Sequence, residues 1–582
     1  MKWKDYQVFF SYLYPFWVRE LLLFVLMIAG TLAGLASPYA LKLIIDQYIP
    51  GKDYAGLLAV LGVLIIIYLL RMLIGFWSDY ISTWIANKVV HNIKQNLFSN
   101  LMRQPYAYFE ENNPGDIIQK VNQEVHKIQY FLTNSILRLS YNIFSIAGLS
   151  SMLLLLDYKL FLVALSVFPF SIILNRLWNR KIKVLVEKIS VAEGGIFNFY
   201  IDRIRNMKVI RTYNAAGKES SALEEKLDQL FSLYRRSGIY SSLSRNASSF
   251  FLMAGPLIML AYGGYRVMLG ALTTGTLVAF IQYMNRLYAP SNDIVFFYVD
   301  YVNAKVSMKR ILPLLGKFGK LPSGRDSVSE QAIASLRLNK ICFRYNQTEI
   351  ISALSFEFVS GKSYALVGLN GSGKSTLLKV IGRLYDPQEG DIIVNDTQSL
   401  AEIPAAEWYE HVNIIHQEPL LFMETIRFNL DYGGRGATDH EMWEALEAVG
   451  LRSFVEQLPA GLDTVLGDGK TGIILSGGQQ QQVVIARALL RGGQVLILDE
   501  ATSAIDSYKE QLILQNIIDR YRSKIVIAIS HRLSTVRDLD EIIVLHQGRI
   551  VENGTHHHLV AKEGQYCAIF ESQMKAAEQV SI

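Results

Sequence analysis

"ALVGLNGSGKSTLLKVI", Ala365 to Ile381, passes from an apolar, strand-like run through three glycines into a helical run. The order matters, because a glycine-rich turn ending at a helix N-terminus aims backbone N–H groups at one point, and the helix adds positive potential there. Such a turn cradles phosphate. Lys374 stands where it would neutralise the β and γ phosphates, and the Ser375 hydroxyl where it would ligate magnesium. The stretch therefore predicts a nucleotide site built from Gly368, Asn370, Gly371, Ser372, Gly373, Lys374, Ser375 and Thr376.

Around it, short β-branched runs such as "SYALVG", "VLILDE" and "KIVIAIS" alternate with helical stretches, the pattern of a parallel α/β sheet. In "VLILDE", Val495 to Glu500, four apolar residues lead into two acids. Asp499 suits magnesium and Glu500 suits the polarisation of an attacking water, whereas the same pair alone would equally be a solvated strand end. Upstream, "LLGKFGKLPSGRDSVSE" is rich in Gly, Ser and charge, which puts a domain boundary near residue 320 and divides the chain into 1–320 and 321–582.

The first half differs in kind. Apolar residues make up 51 % of the 582, yet long uncharged runs such as "LLAVLGVLIIIYLL" are confined to the part before about residue 300. A bilayer span needs about 20 largely apolar residues. Six segments qualify: 21–44, 57–77, 137–156, 160–177, 247–267 and 276–295. Basic residues gather in 78–135 and 178–245 rather than in the short connections, so those two segments are expected to be cytoplasmic. The same clustering accounts for the net charge of +5 without nucleic acid as a partner.

Helical sequence continues past the second span through "SDYISTWIANKVVHNIKQNLFSNLM" without Gly or Pro. That gives a rod of about 65 Å, roughly twice the hydrocarbon thickness. Turns are expected around "RQPYAYFEENNPGD" (Arg103 to Asp116) and "RNMKVIRTYNAAGKE" (Arg205 to Glu219), far from the membrane. The N-terminal "MKWKDYQVFFSYLYPFWVRE" reads as an amphipathic helix on the membrane surface rather than a cleaved signal. Cys342 and Cys567 stand far apart and form neither a metal-type pair nor a disulfide framework.

A further stretch, "LSGGQQQQVVIARALL" from Leu475 to Leu490, sets a polar glycine turn before an apolar helix. With the ordered motifs around it, the second half resembles the nucleotide-binding domain of ATP-binding-cassette (ABC) transporters. The resemblance implies that Ser476, Gly477, Gly478 and Gln479 reach the γ-phosphate of ATP held by an opposite subunit, and hence a dimer, most simply of identical chains. It implies that Tyr345 in "ICFRYN" stacks on adenine, and that Gln417 in "IIHQEP" senses magnesium and contacts the membrane domain. Asp506 in "SAID" would meet the opposite subunit, and His531 in "AISHR" would be the switch histidine at the γ-phosphate. Glu500, His531, Gln417 and Lys374 then form the catalytic set, and Ser375, Gln417 and Asp499 the Mg2+ set.

The first half is similar to the six-span exporter type of that superfamily, carried by "SPYALKLIIDQYIP", "DYKLFLVALSVFPF" and "GALTTGTLVAFIQYMNRLYAPSNDI". On this resemblance the two distal turns are coupling helices. Departures are visible as well. Gln480, Gln481 and Gln482 stand where relatives commonly carry a basic residue, which predicts a missing charge contact, and Asp468 stands where Glu is common. "THHHLV", Thr555 to Val560, reads as a surface helix start rather than a metal site.

In the sixth span Gln282, Arg286 and Asp293 recur at helical spacing with Asn285 and Asn292 alongside, a polar stripe that lipid would reject. Arg71 in the second span carries an insertion cost of about 3 kcal/mol unless paired or hydrated. Read as substrate contacts, the arginines favour a carboxylate or phosphate, while for Arg71 an internal ion pair or snorkelling stands as an equal alternative. The expected fold is an all-α six-helix transmembrane domain plus an α/β P-loop ATP-binding-cassette domain. The expected function is ATP- and Mg2+-driven export of a peptide, natural product or hydrophobic drug across the cytoplasmic membrane, with the nucleotide domain in the cytosol. Lipid flipping is the alternative, and an ATP-gated channel or regulatory ATPase is an alternative of a different class. Six spans argue against a soluble ATPase.

Overall fold

The computed structural model describes residues 3–112, 114–315, 332–467, 469–502, 504–529 and 537–580. The chain forms two compact units, one of Met1–Ser99 with Gly115–Leu315, the other of Asn100–Pro114 with Gly316–Ile582.

The first unit is wholly helical among the described residues. A short helix α1 (Trp3–Phe10) precedes α2 (Trp17–Leu43) and α3 (Tyr54–Leu101). After a helical run partly wound as π-turns at Lys120–Glu124 and Phe131–Ser135 come α4 (Ile136–Leu156), α5 (Tyr158–Arg205), α6 (Ala216–Met268) and α7 (Thr274–Leu315). Five of the six expected apolar stretches fall within α3 to α7, and the first, 21–44, runs from α2 one residue into the π-turn Ile44–Tyr48. Three of the helical segments, Tyr14–Tyr48, Tyr54–Leu101 and Lys120–Leu156, are long and apolar enough to cross a membrane among the described residues. The 48 residues of α3 make a rod of about 72 Å. Its apolar stretch leaves Ile65 and Ile66 60 % and 58 % exposed, a surface that hydrocarbon solvates and water does not. The core of the unit joins Leu149, Leu153, Leu160, Met259, Phe280 and Met284.

Proline shapes this bundle. Pro38 lies inside α2 and has no N–H to offer the carbonyl four residues earlier, so the Gly34 oxygen is freed. Arg286 of α7 donates to that oxygen, and Tyr283 donates to the Leu35 carbonyl next to it. Near the far end of α2, Asp46 accepts from the Gly275 N–H at 2.8 Å and from the Thr273 hydroxyl at 2.6 Å, capping the start of α7. A Cβ on Gly275 would lie 2.7 Å from the Lys42 carbonyl oxygen, so the close approach requires glycine.

The second unit contains two sheets among the described residues. Strands β1 (Ser335–Tyr345), β2 (Thr348–Val359), β4 (Glu389–Val394) and β5 (Gln398–Ser399) form an antiparallel sheet in the order β2-β1-β4-β5. Strands β3 (Ser363–Val367), β6 (Val412–Ile415), β7 (Val495–Asp499), β8 (Ile525–Ile529), β9 (Glu541–His546) and β10 (Arg549–Gly554) form a six-stranded sheet in the order β10-β9-β3-β8-β7-β6. All neighbours in it are parallel except β9 and β10. Near-continuous burial of β3, β7 and β8 is what a parallel sheet covered on both faces requires.

Trp408 is fully buried, and its indole N–H donates to the Ile381 carbonyl at 3.2 Å, at the end of helix α8 (Lys374–Ile381). Truncating a buried indole costs about 3–5 kcal/mol. Trp408→Ala should therefore lower the thermal unfolding midpoint of the purified protein well below that of the parent; an unchanged midpoint would refute the buttressing role of this side chain.

Candidate nucleotide site

Parallel strands end together, and here their carboxyl ends carry the chemistry. Register pairs Leu366 of β3 with Ile529 of β8, Ile529 with Asp499 of β7, and Leu498 with Ile415 of β6. The segments that leave these ends hold Gly368 to Thr376, Asp499 with Glu500, and Gln417. His531 leaves β8 at the same edge in sequence, but it lies outside the described residues.

The turn after β3 is built for an anion. Gly371 and Gly373 hold φ of +80° and +103°, in the left-handed region that side chains disfavour. A Cβ on Gly368 would lie 2.3 Å from the Leu545 carbonyl oxygen. Lys374 is buried, and its ammonium bonds the Gly368 and Leu369 carbonyls at 2.8 and 3.1 Å. Burial lowers its pKa, and the negative fields of Glu500 and Asp499 work against that shift. The Ser372 hydroxyl is buried with no hydrogen-bond partner. The first N–H groups of α8 also lack partners within the helix. A buried cation, an unsatisfied hydroxyl and free amides around one turn fit a triphosphate.

The Ser375 hydroxyl donates to Asp499 at 3.2 Å, so two expected magnesium ligands already touch. Burial raises the Asp499 pKa, partly offset by the Ser375 hydrogen bond. A hydroxyl and a carboxylate suit Mg2+, which takes few protein ligands beside phosphate oxygens and water. Among the described residues no cluster of three or more His, Cys, Asp or Glu offers an all-protein cage. Gln417 donates to the Glu500 carboxylate at 2.8 Å. Glu500 itself has φ +50°, a costly conformation for a residue with a side chain and one that clusters at functional sites. His416, beside Gln417, is kept neutral-leaning by burial, against the field of Asp499.

Ser476 caps helix α9 (Gly477–Arg491) in a reciprocal box: the Gln479 N–H donates to its hydroxyl at 3.3 Å and its own N–H donates to the Gln479 side chain at 2.9 Å. The expected missing charge contact at the next three glutamines is not left as a gap. Gln480 donates to the Leu475 carbonyl at 3.0 Å and the buried Gln482 to the Val449 carbonyl at 2.6 Å. The buried Gln481 donates to the Gln417 carbonyl at 3.4 Å and accepts from the Ala504 N–H at 3.0 Å, tying two site loops together. Asp506 begins the helix Ser507–Arg520 without a side-chain cap bond. The helix start at Thr555 is capped by its own hydroxyl, and His556 bonds Tyr566; Asp468 lies outside the described residues.

The turn expected at 103–116 and read as a coupling helix makes a contact whose residues the sequence did not name. The short helix Tyr106–Glu111 belongs to the second unit, where Glu110 bonds the Lys379 ammonium at 2.8 Å and accepts from the Tyr385 hydroxyl. Burial pushes the Glu110 carboxyl up, but these donors outweigh it and hold its pKa below the ordinary value. The Tyr385 ring stands 6.1 Å from Tyr106 and 5.6 Å from Tyr345, which also packs on Phe343 at 5.0 Å. Tyr345 thus joins an aromatic cluster. In the first unit Arg71 and Arg286 both approach Gly34, Gln282 is half-buried, Asn285 is exposed, and Asp293 is held by Asn142 at 3.3 Å.

Comparisons with known proteins agree with this geometry. Residues 21–291 match the family model for the ABC transporter transmembrane region and residues 351–503 that for the ABC transporter. The chain is 28 % identical over 573 residues to an ATP-dependent lipid A-core flippase of Chromobacterium violaceum, covering 98 % of this chain and 97 % of that one. It is 29 % identical over 548 residues to a multidrug export ATP-binding/permease protein of Bacillus subtilis, covering 93 % and 94 %. A bacterial Atm1-family ABC exporter solved with ATP bound superposes with a TM-score of 0.83 at 25 % identity, covering 96 % and 98 %.

Glu500→Gln keeps the shape of the side chain and removes its basicity. ATPase turnover should fall by about 10²–10⁴ while binding of a fluorescent ATP analogue is retained; comparable turnover in the variant would remove Glu500 from the chemistry.

Proposed function

We propose, on the premise that this chain belongs to the ABC transporter family as an exporter-type half-transporter, that two copies hydrolyse ATP between them and use the closure to move an acidic amphiphile across the membrane. The observation that carries the ATPase reading is the meeting of the phosphate turn, Asp499, Glu500 and Gln417 at one sheet edge. Lys374 and the amides of α8 hold the terminal phosphates. Glu500, oriented by Gln417, accepts the proton of the attacking water. Mg2+, held by Ser375 and Asp499 with Gln417 near it, would neutralise charge between the β and γ phosphates.

Closure needs the second copy. Among the described residues, the hydrogen bonds of Ser476 run within its own helix cap, which leaves the glycine amides of the turn for a nucleotide on a partner. His531 and Asp506 complete that shared site on the family resemblance. The positive-inside pattern supports nucleotide domains in the cytosol, and the family resemblance supports spans in the plasma or inner membrane.

The substrate reading rests on Arg71 and Arg286. A Cβ on Gly34 would lie 3.8 Å from the Arg71 Nη1 and 3.6 Å from the Arg286 Nη1, so two guanidinium groups converge on one backbone position. Neither pairs with a carboxylate among the described residues. Two cations side by side within membrane-spanning helices repel each other and gain from an anion between them. A phosphate or carboxylate on an apolar body supplies it, which suits flipping of an acidic lipid as well as export of an acidic drug or peptide.

In reconstituted vesicles, amphiphiles carrying a phosphate or carboxylate should stimulate ATPase more than their uncharged esters. Arg71→Gln with Arg286→Gln should cut that preference by about tenfold, equivalent to 1.4 kcal/mol. Equal stimulation by charged and uncharged forms in the parent protein would reject the acidic-substrate reading and leave the ATPase reading intact.

A further inference from the structure

Beside the N-terminal helix α1, an open cleft of about 480 Å³ is lined by Asp5, Lys305, Lys309, Leu312 and Pro313. We infer that this cleft holds the headgroup of an anionic phospholipid from the leaflet on the ATP-binding side of the membrane, as a fixed ligand distinct from the transported molecule.

Depth comes first. Lys305 lies 31 residues after the start of α7, about 46 Å along the helix axis. A bilayer with its headgroups is about 40–45 Å thick, so a helix that starts at one surface brings Lys305 to the opposite headgroup layer. In sequence α7 leads from there into the nucleotide-binding half, which fixes the leaflet on the proposed topology. Lys305 is also 19 residues, about 28 Å, past Arg286, so the cleft is remote from the arginine pair.

The elbow of the chain has the surface of an interfacial segment. Trp3, Tyr14 and Trp17 are 73 %, 78 % and 59 % exposed, and such amphipathic rings settle at the headgroup level. The elbow is fastened to α7 at the cleft, where the Tyr6 and Tyr301 hydroxyls bond at 3.1 Å. The Lys305 ammonium stands 5.9 Å from the Tyr301 ring.

Charge and shape then select the occupant. Lys305 and Lys309 are one helical turn apart on one face, exposed, and in no ion pair among the described residues. Against them stands one carboxylate, Asp5, which has interactions of its own. Two ammonium groups and one carboxylate leave one net positive charge, enough for one phosphodiester. Leu312 and Pro313 give the cleft an apolar wall for the glycerol and first methylenes. Two lysines at a membrane surface each raise the affinity for acidic lipid by about fivefold.

The test uses the full-length protein in lipid nanodiscs, with a photoactivatable phosphatidylglycerol whose crosslinker sits near the headgroup. Labelling should map to residues 3–10 and 301–315, exceed that by a matched phosphatidylcholine probe, and fall about thirtyfold in K305Q/K309Q. K305R/K309R should retain it, and R71Q/R286Q should leave labelling at these residues unchanged. Equal labelling by the neutral probe, or undiminished labelling of K305Q/K309Q, would overturn the inference. Loss of labelling on addition of soluble glycerol phosphate would also overturn it, since the occupant would then be a free anion.

Discussion

The parallel register of β3, β8, β7 and β6 is the constraint on which the chemistry rests. Three of these strands each deliver one element to the same edge: β3 an anion-binding turn, β7 a carboxylate pair, β6 a glutamine. None of these could act alone. Lys374 without Asp499 and Glu500 nearby would be a buried cation with only carbonyls for company, and burial already lowers its pKa. Asp499 without Ser375 and a cation would be a half-desolvated carboxylate, which burial pushes toward protonation. The sheet makes each group's electrostatic problem the solution to another's.

Legibility in the sequence follows from how local each requirement is. The phosphate turn was readable because glycines with left-handed φ, a lysine and a hydroxyl must sit at fixed offsets to wrap one phosphate chain. The acids of "VLILDE" were readable only beside that turn. Helices α2 to α7 were readable because hydrocarbon demands length and apolarity, and the extent of α3 past the bilayer was readable from the absence of Gly and Pro after its apolar stretch. That the 103–116 turn serves as a coupling helix was legible from the family resemblance, but its bonding of Glu110 to Lys379 and Tyr385 was not, since these partners stand 269 and 275 residues from it and each alone resembles a solvated surface residue. The three glutamines after the signature turn showed only as a lost charge; that they satisfy carbonyls and an amide inside the fold appears once the loops are in place.

In the membrane helices the decisive feature is an absence of hydrogen bonding made by proline. Pro38 frees a carbonyl at Gly34, and in hydrocarbon an unsatisfied carbonyl costs several kcal/mol. Arg286 satisfies it and at the same time brings its charge beside Arg71. A backbone defect in α2 thus explains why a cation in α7 is tolerated at that depth, and why glycine stands at the contact: a side chain at position 34 would press on both guanidinium groups.

The opening of α9 shows how a helix cap can leave donors of the same turn unused. The reciprocal box uses the Gln479 N–H and the Ser476 N–H. Of the donors at this helix start, the amides of Gly477 and Gly478 and the hydroxyl hydrogen of Ser476 are not consumed by the box. Position 478 tolerates no Cβ, which would lie 2.8 Å from the Ala504 carbonyl, so the turn is pressed against the loop that leads to Asp506. Gln481 bonds the amide of that same Ala504 and the carbonyl of Gln417. The donors that the box leaves unused are therefore set on a base fixed to two loops of the nucleotide site. The turn, Gln417 and Glu500 are thus joined by an unbroken run of contacts, from Gln481 to the Gln417 carbonyl and from the Gln417 amide to the Glu500 carboxylate.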